Sequence, residues 1–223
     1  MKLYKAYLII LLILVIDQGF KIWVKTNMML YQSEPITSWF SVYFVENEGM
    51  AFGMVLPGLM GKLFLSLFRL VAVFGGVWYL NKLVKERQHW GFVTSVAMIL
   101  AGAIGNMIDG TFYGILFTDS HYRVAEMFPA SGGYGQLLTG KVVDMLYFPL
   151  INGVFPQWVP FWGGEPFTFF NAIFNIADSA ITVGVFIILL FQSTFFVNNE
   201  LQTGAPAEVA VAKDSEATEV QSD

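Results

Sequence analysis

Four long segments of apolar residues alternate with more polar stretches along the chain. A helix that crosses a bilayer needs about 20 largely apolar residues, and the four segments approach that length. They lie at about 4–24, 63–81, 91–108 and 179–197. The third is uncharged and rich in Gly and Ala, which favours close helix packing in lipid. The pattern predicts an all-α integral membrane protein with four transmembrane helices.

The first apolar segment has two interpretations. Lys2 and Lys5 precede it, as they would in a cleavable signal peptide. Its apolar run is followed by Ile16, Asp17 and Gln18 rather than by the small residues of a cleavage site. A retained membrane helix is therefore the preferred interpretation.

Basic residues near the helix ends predict the orientation of the chain, because cytoplasmic flanks carry an excess of Lys and Arg. They precede the first segment or separate the second from the third: Lys2, Lys5, Lys82, Lys85 and Arg87. Both termini are therefore expected in the cytoplasm, with extended outer loops at about 27–62 and 110–170. Residues 39–45 are typical of a short strand, which predicts a small extracytoplasmic β-element. Trp158 and Trp162 in the second loop suit the headgroup layer.

Composition favours a lipid-facing surface and excludes several kinds of protein. Hydrophobic residues make up 56% of the chain and charged residues 13%, against roughly a quarter charged residues in soluble domains. The sequence has no cysteine, so thiol nucleophiles are excluded, and only His89 and His121 could serve a histidine triad or a zinc site. No basic patch indicates binding to nucleic acid.

The net charge of −5 comes from the end of the chain. Residues 198–223 carry six acidic side chains and one lysine, whereas the remainder is neutral. A polar, acidic segment of this kind cannot bury enough apolar surface to fold. We therefore predict one membrane domain over 1–197 and a disordered, acidic cytoplasmic tail over 198–223.

Seven polar residues are predicted at or near the outer side of the membrane. They are Asp17, Asn47, Asn106, Asp109, Asp144, Asn175 and Asp178. Ionisable side chains at membrane depth cost at least a few kcal/mol, so such residues are candidates for function by default.

Asn175 and Asp178 form the strongest single candidate among these residues. They lie three residues apart on one helix face in an otherwise apolar stretch, where a purely structural Asp is costly. Asn106 and Asp109 have the same spacing and either form a polar helix end or orient a catalytic carboxylate. Asp144 follows two valines in a predicted exterior loop, and a solvated loop is its alternative interpretation.

Two further groups near the outer side each keep two interpretations. Asp17 and Lys21 are one helical turn apart and form either a structural ion pair or a contact with substrate. Asn47, Gly49 and Gly53 belong to Asn-Glu-Gly-Met-Ala-Phe-Gly. This stretch is either an ordinary turn or a place where another chain approaches the backbone closely.

Taken together, five short motifs resemble those of the lipoprotein signal peptidase family, also called signal peptidase II. Each motif is modest alone, but five in this order on four apolar segments are specific. The matching residues are Asp17 and Lys21; Asn47, Gly49, Ala51, Phe52 and Gly53; Gly105, Asn106 and Asp109; Val142, Val143 and Asp144; and Phe174, Asn175, Ala177, Asp178 and Ser179. The resemblance covers about 1–197.

The resemblance implies an aspartyl endopeptidase of the bacterial inner membrane, with its active site facing the periplasm. Asp144 and Asp178 would be the catalytic pair and water the nucleophile. Asn106, Asp109 and Asn175 would hold that pair, and Asn47 with its glycine-rich loop would contact the substrate backbone. The implied substrate is a prolipoprotein with diacylglycerol on its lipobox cysteine, cut just before that cysteine. No metal or organic cofactor is implied, and a monomer would suffice.

Two departures from the family pattern affect these expectations. Gly110 follows Asp109 where the family usually has Arg, so whatever that guanidinium holds must be held otherwise, with Arg69 and Arg123 as candidates. About 30 residues near 111–140, and an aromatic insertion near 148–169, lengthen the second outer loop. The outer face is therefore expected to be more covered than is usual in the family.

Two other classes of function are alternatives to the peptidase. A small transporter or channel also places Asp and Asn within the membrane, but here these residues cluster on one side and none continues the path inward. A non-catalytic scaffold explains the small residues of the third segment but not the carboxylates.

Overall fold

Three long apolar helices and a shorter one form a bundle. The computed structural model describes residues 1–48 and 58–196. Helices α1, α2 and α3 span Leu3–Asn27, Gly58–Lys85 and Trp90–Ile108. Helix α3 continues through a π-helical turn, Asp109–Tyr113, into the short helix α4, Gly114–Leu116. The last helix, α5, spans Ile176–Leu190 and is followed by a further helical turn over 192–196.

Within the described residues, three helices are long and apolar enough to cross a membrane. These spans are Leu3–Asn27, Leu59–Lys85 and Trp90–Leu116. Helix α5 is apolar but has 15 residues, and the end of the fourth predicted segment, like the tail over 198–223, lies outside the described residues. The chain is thus an integral membrane protein with several apolar helices.

Small residues let α3 lie very close to α5 and α1. A Cβ atom on Gly102 would lie 2.2 Å from the carbonyl oxygen of Ala177, and one on Gly105 would lie 2.8 Å from Oδ2 of Asp17. Larger side chains at these positions would force the helices apart. The close approach brings the start of α5 and an acid of α1 against the end of α3, where the predicted site residues gather.

A four-stranded antiparallel sheet adjoins this end of the bundle. Its strands are β1 (Ser33–Pro35), β2 (Ser41–Asn47), β3 (Val142–Tyr147) and β6 (Ile173–Phe174), in the order β1-β2-β3-β6. In the β2–β3 register, Val45 pairs with Asp144 and Asn47 pairs with Val142. Strands β4 (Ile151–Val154) and β5 (Pro166–Phe169) form a separate hairpin.

The small β-element predicted from sequence is confirmed, but it is larger than expected. The strand expected at 39–45 corresponds to β2, whereas β3 occupies part of what was predicted as an exterior loop. Val142, Val143, Asp144 and Met145 are all buried, so this strand is covered on both faces. A strand of that kind lacks the alternation of polar and apolar residues by which a half-exposed strand is recognised.

Two apolar clusters stabilise the molecule. The first lies between the membrane helices and includes Ala6, Ile10, Leu80, Val93, Ala97 and Leu100. The second lies between the end of α1, the sheet and the residues around α4, and includes Val24, Met28, Phe44, Tyr113, Phe117, Val143 and Met145. Lipid is as apolar as the first cluster, so close packing rather than the hydrophobic effect stabilises it.

Candidate active site

The side chain of Asn175 joins two carboxylate-bearing segments that are far apart in sequence. Asn175 is the N-cap of α5, and its Oδ1 accepts a hydrogen bond from the backbone N–H of Asp178 at 2.8 Å. Its Nδ2 donates to Oδ1 of Asp144 at 2.7 Å. Asn is a preferred N-cap because its side-chain oxygen satisfies an unpaired N–H at the helix start. One cap residue therefore fixes both the start of α5 and the Asp144 carboxylate.

Asp144 is buried in the middle of the sheet, with a solvent exposure of 4%. Its Oδ2 accepts a hydrogen bond from Nδ2 of Asn47, on the neighbouring strand, at 3.1 Å. Burial and the nearby charge of Asp178 raise the pKa of Asp144 to about 7, against the opposing effect of the amides of Asn47 and Asn175. A carboxyl with this pKa holds a proton for part of the time near neutral pH.

Asp178 lies in the first turn of α5 and has different surroundings. Its Oδ1 accepts a hydrogen bond from Nδ2 of Asn106 at 2.7 Å, and the helix dipole stabilises negative charge at this position. Asn106 in turn accepts from Nδ2 of Asn175 at 3.1 Å. The two asparagines thus form a bridge between the carboxylates of Asp144 and Asp178.

The ammonium of Lys21 contacts this bridge at Asn106 and directs its other two N–H donors to Asp17 and Asp109. Its Nζ lies 3.0 Å from Oδ2 of Asp17, 2.8 Å from Oδ2 of Asp109 and 2.9 Å from Oδ1 of Asn106. The side chains of Lys21, Asp17 and Asp109 are fully buried. An ammonium with three donors has none left for another ligand in this arrangement, which favours the structural interpretation of the Asp17–Lys21 pair.

Asp17 and Asp109 each accept a hydrogen bond from the backbone N–H of the residue directly before Asp178 or Asp144. Oδ1 of Asp17 accepts from the N–H of Ala177 at 2.9 Å, an N–H in the first turn of α5 that has no partner within the helix. Oδ2 of Asp109 accepts from the N–H of Val143 at 3.2 Å. The buried ion pairs therefore position the backbone on either side of the candidate site.

The structure brings together every predicted site residue that it describes. These are Asp17, Lys21, Asn47, Asn106, Asp109, Asp144, Asn175 and Asp178. Gly49 and Gly53, which belong to the same motif as Asn47, lie outside the described residues. Asn175 precedes α5 rather than sharing a helix face with Asp178, and Asp144 is in a buried strand rather than a solvated loop.

Two further parts of the site are Gln18, which the sequence analysis did not assign, and Arg69, one of its two candidates to replace the missing family arginine. Nε2 of Gln18 donates to Oδ1 of Asp109 at 2.8 Å. A Cβ atom on Gly110 would lie 3.4 Å from Nη1 of Arg69, and the charge of Arg69 interacts with those of Asp109, Asp178 and Asp144. Arg123, the other candidate to replace the missing family arginine, is exposed. Of the two candidate arginines, Arg69 is therefore the one whose guanidinium lies next to Gly110.

A second buried ionic cluster lies beside Asn47. Nζ of Lys25 pairs with Oε1 of Glu46 and bonds Oγ of Ser120 at 2.9 Å. The same ammonium lies 5.0 Å from the ring centre of Tyr134, and Nζ of Lys141 lies 3.3 Å from Oε2 of Glu46. This cluster ties α1, β2 and the residues before β3 together.

The geometry offers acid–base chemistry with two carboxylates. When two carboxyl groups are close, the charge of one disfavours ionisation of the other, as the charge of Asp178 does for Asp144. One member can accept a proton from water while the other donates a hydrogen bond to a carbonyl oxygen. Hydrolysis of an amide needs both of these functions.

Comparison with known sequences identifies relatives over most of the chain. A family model described as Signal peptidase (SPase) II matches residues 9–195. The lipoprotein signal peptidase of Porphyromonas gingivalis is 53% identical over 183 residues, which cover 82% of this chain and 80% of that protein. The lipoprotein signal peptidase of Amoebophilus asiaticus is 38% identical over 197 residues, covering 85% and 78%.

Solved structures share the fold. A bacterial membrane enzyme solved at 1.9 Å aligns with a TM-score of 0.56 and 23% identity over 85% of this chain and 93% of its own. A second, solved at 2.3 Å, aligns with a TM-score of 0.54 and 21% identity over 93% and 95%. At these identities the two structures support the fold alone. The match to the family model and the 53% identity to a curated relative show that this chain belongs to the signal peptidase II family of proteases.

Proposed function

We propose that this chain is a membrane aspartyl endopeptidase that removes the signal peptide from diacylglyceryl-modified prolipoproteins. It cuts just before the lipidated cysteine. The observation that carries the proposal is the Asn175 side chain, which bonds the Asp144 carboxylate and caps the helix that bears Asp178. The names of the relatives support the class of substrate.

In the proposed reaction, Asp144 and Asp178 share one proton. The ionised carboxylate takes a proton from water, whose oxygen attacks the scissile carbonyl carbon. The protonated carboxyl donates its hydrogen bond to the carbonyl oxygen and stabilises the charge that develops there. The tetrahedral intermediate then breaks its C–N bond, and the amine of the lipidated cysteine leaves with a proton from the pair. The raised pKa of Asp144 supports a pair that stays singly protonated near neutral pH.

The remaining site residues have supporting roles in this proposal. Asn106 and Asn175 hold the two carboxylates at a fixed separation through their amide bridge. Asn47 orients Asp144 and, with the loop that contains Gly49, contacts the backbone of the substrate. The Asp17, Lys21 and Asp109 cluster fixes the segments that carry the pair.

We further propose that the enzyme crosses the inner membrane four times as a monomer, with both termini in the cytoplasm. Helix α5 and the residues after it would form the fourth span. The carboxylates would then lie near the periplasmic end of the bundle, where a lipid-anchored peptide presents its cleavage site while its acyl chains stay in the membrane. The chemistry requires neither a metal nor an organic cofactor.

A gel-shift assay with a diacylglyceryl-modified precursor tests the catalytic pair. We expect Asp144→Asn and Asp178→Asn each to abolish cleavage, because an amide can neither accept nor carry the shared proton. Asp119→Asn is the matched control, since this outer acid has a half-exposed side chain and pairs with a neighbour in sequence, His121. Full activity in either pair variant, at normal membrane abundance, would reject the assignment.

The same assay tests the lipid requirement with precursors that differ only in diacylglycerol. The unlipidated precursor should be cut much more slowly, because it lacks the acyl chains that fix the cysteine next to the cleavage site at the bilayer surface. Equal cleavage of the two forms would contradict the proposed substrate class while leaving the catalytic pair in place.

A further inference from the structure

The hairpin formed by β4 and β5 presents a large apolar surface. We call residues 151–169 the aromatic hairpin. Between residues 148 and 174 the chain has a single charged side chain, Glu165. Yet at the tip of the hairpin Trp158 and Phe161 are 81% and 96% exposed, and Trp162 is exposed as well. Contiguous apolar patches of this kind mark surfaces that are covered by a partner or a membrane.

The exposed rings stand on an ordered scaffold. The four residues of each strand are paired in register, from Ile151 with Phe169 to Val154 with Pro166. Beyond the strands, the N–H of Phe155 donates to the carbonyl of Glu165 at 2.9 Å, and the N–H of Gly164 donates back to Phe155 at 2.9 Å. The outward-facing N–H and C=O groups of the two strands have no partner in this two-stranded sheet, so such a hairpin suits the hydrated headgroup layer rather than the hydrocarbon core.

The base of the hairpin adjoins the membrane helices. Strand β6 begins four residues after β5, and α5 begins at Ile176, directly after the cap residue Asn175. The ring centres of Phe170 and Phe174 are 6.0 Å apart, those of Phe174 and Phe148 are 5.7 Å apart, and Phe148 stacks on Phe40 at 4.8 Å. A strip of aromatic rings thus runs from the sheet to the hairpin beside the start of an apolar helix. A four-residue strand extends about 13 Å, so the tip remains within reach of the bilayer surface.

We propose that the aromatic hairpin inserts its tip into the interfacial layer of the same membrane that holds the helix bundle. The partner is lipid at the boundary between headgroups and acyl chains, where Trp and other amphipathic rings concentrate. The near absence of charge means that the contact depends on neither anionic lipid nor ionic strength. This surface would anchor the outer region of the protein independently of the proposed peptide chemistry.

Quenching of a label at the tip tests this insertion. The chain has no cysteine, so Phe161→Cys gives one labelling site in the full-length protein for a bimane fluorophore. In phosphatidylcholine vesicles with brominated acyl chains, we expect at least about a two-fold loss of fluorescence, because the tip lies at headgroup level. The loss should be the same in low and high salt.

Two matched positions calibrate the measurement. Tyr122→Cys, at a residue that is 94% exposed and lies between His121 and Arg123, should stay unquenched in water. Phe74→Cys, at an exposed position on α2, should be quenched by lipid. Trp158→Cys repeats the test if the Phe161 variant does not accumulate in membranes.

Two results would overturn the proposal. In the first, the bimane label at residue 161 is quenched no more than the label at residue 122, and the unlabelled Phe161→Cys thiol reacts fully with a water-soluble maleimide. In the second, shielding of residue 161 appears only at high protein-to-lipid ratio, which would identify a second copy of the chain as the partner. The assay contains no substrate, so neither result bears on the proposed peptidase activity.

Discussion

At the scale of single residues, the absence of a side chain at Gly110 explains how a distant arginine reaches the site. Gly110 lies in the π-helical turn directly after Asp109, and a Cβ atom there would already be close to Nη1 of Arg69. A charged side chain on a membrane helix is costly unless it is paired. The negative charges of Asp109, Asp178 and Asp144 attract that of Arg69. We infer that Arg69 supplies the positive charge that the family pattern places next to Asp109.

We predict that Arg69→Met lowers cleavage by roughly 100-fold, the order observed when one preorganised electrostatic group is removed. Arg69→Lys should retain part of the activity, because it keeps the charge but loses the planar fork of donors. Rates are measured in the gel-shift assay at equal enzyme abundance in membranes. Arg123→Ala serves as the control, since Arg123 is exposed. Unchanged cleavage by Arg69→Met would remove Arg69 from the site.

Sequence patterns identified the carboxylates and asparagines of the site but not all their neighbours. Asp144, Asn175 and Asp178 were recognised because motif order and membrane depth both pointed to them. Gln18 was not, although it bonds both Asp17 and Asp109. A side-chain amide next to an acid has no local signature, and the bond to Asp109 depends on how α1 packs against the end of α3.

At the scale of elements, the Lys25 and Glu46 cluster connects three parts of the chain next to the site. Lys25 is in the last turn of α1, Glu46 precedes Asn47 on β2, and Lys141 precedes β3. The side chains of Lys25 and Glu46 are both buried. Lys25 therefore ties β2, which presents Asn47, to α1, and Lys141 ties the same strand to the start of β3, which carries Asp144.

Breaking this cluster should destabilise the protein far more than breaking an exposed pair. Glu46→Gln leaves the buried ammonium of Lys25 without its counter-charge, a change that costs about 3–5 kcal/mol. The double variant Lys25→Met/Glu46→Gln should lose less than Glu46→Gln alone, since no buried charge is then left unpaired at this pair. The midpoint of thermal inactivation in detergent measures each loss.

The matched control is the Lys82–Glu86 pair, which has a separation of 3.9 Å and half-exposed side chains. Surface pairs of this kind contribute roughly 0–1 kcal/mol, so Lys82→Met should shift the midpoint little. If Glu46→Gln were as stable as Lys82→Met, the cluster would not hold the strands in place.

The helices were easier to predict from the sequence than the strands. Helices α1 and α3 were predicted within a few residues because long apolar runs in lipid have few alternatives to a helix. Strand β3 and the hairpin were not predicted as strands. The first is buried on both faces and shows no alternation, and the second places exposed aromatic rings where a water-facing strand would carry polar residues.

At the scale of the whole molecule, hydrogen bonds tie the residues between Leu116 and β3 to the helices beside the site. Ser66 on α2 donates to the carbonyl of Leu138 at 2.8 Å, and the N–H of Gly140 donates to the carbonyl of Gly110 at 2.9 Å. The insertion near 111–140 is therefore tied both to α2 and to the turn that follows α3.

The orientation of the chain can be tested directly because no native cysteine competes for a label. Single cysteines replace Glu86 between α2 and α3, Tyr122 in the second outer loop and Gln202 in the tail. In spheroplasts, a membrane-impermeant maleimide should label Tyr122→Cys at once. It should reach Glu86→Cys and Gln202→Cys only after permeabilisation, because the basic residues around Glu86 favour the cytoplasm and a fourth span returns the tail to that side. Immediate labelling of Gln202→Cys while Glu86→Cys stays protected would rule out four spans. A fully reversed pattern would place Asp144 and Asp178 on the cytoplasmic face, away from any exported lipoprotein.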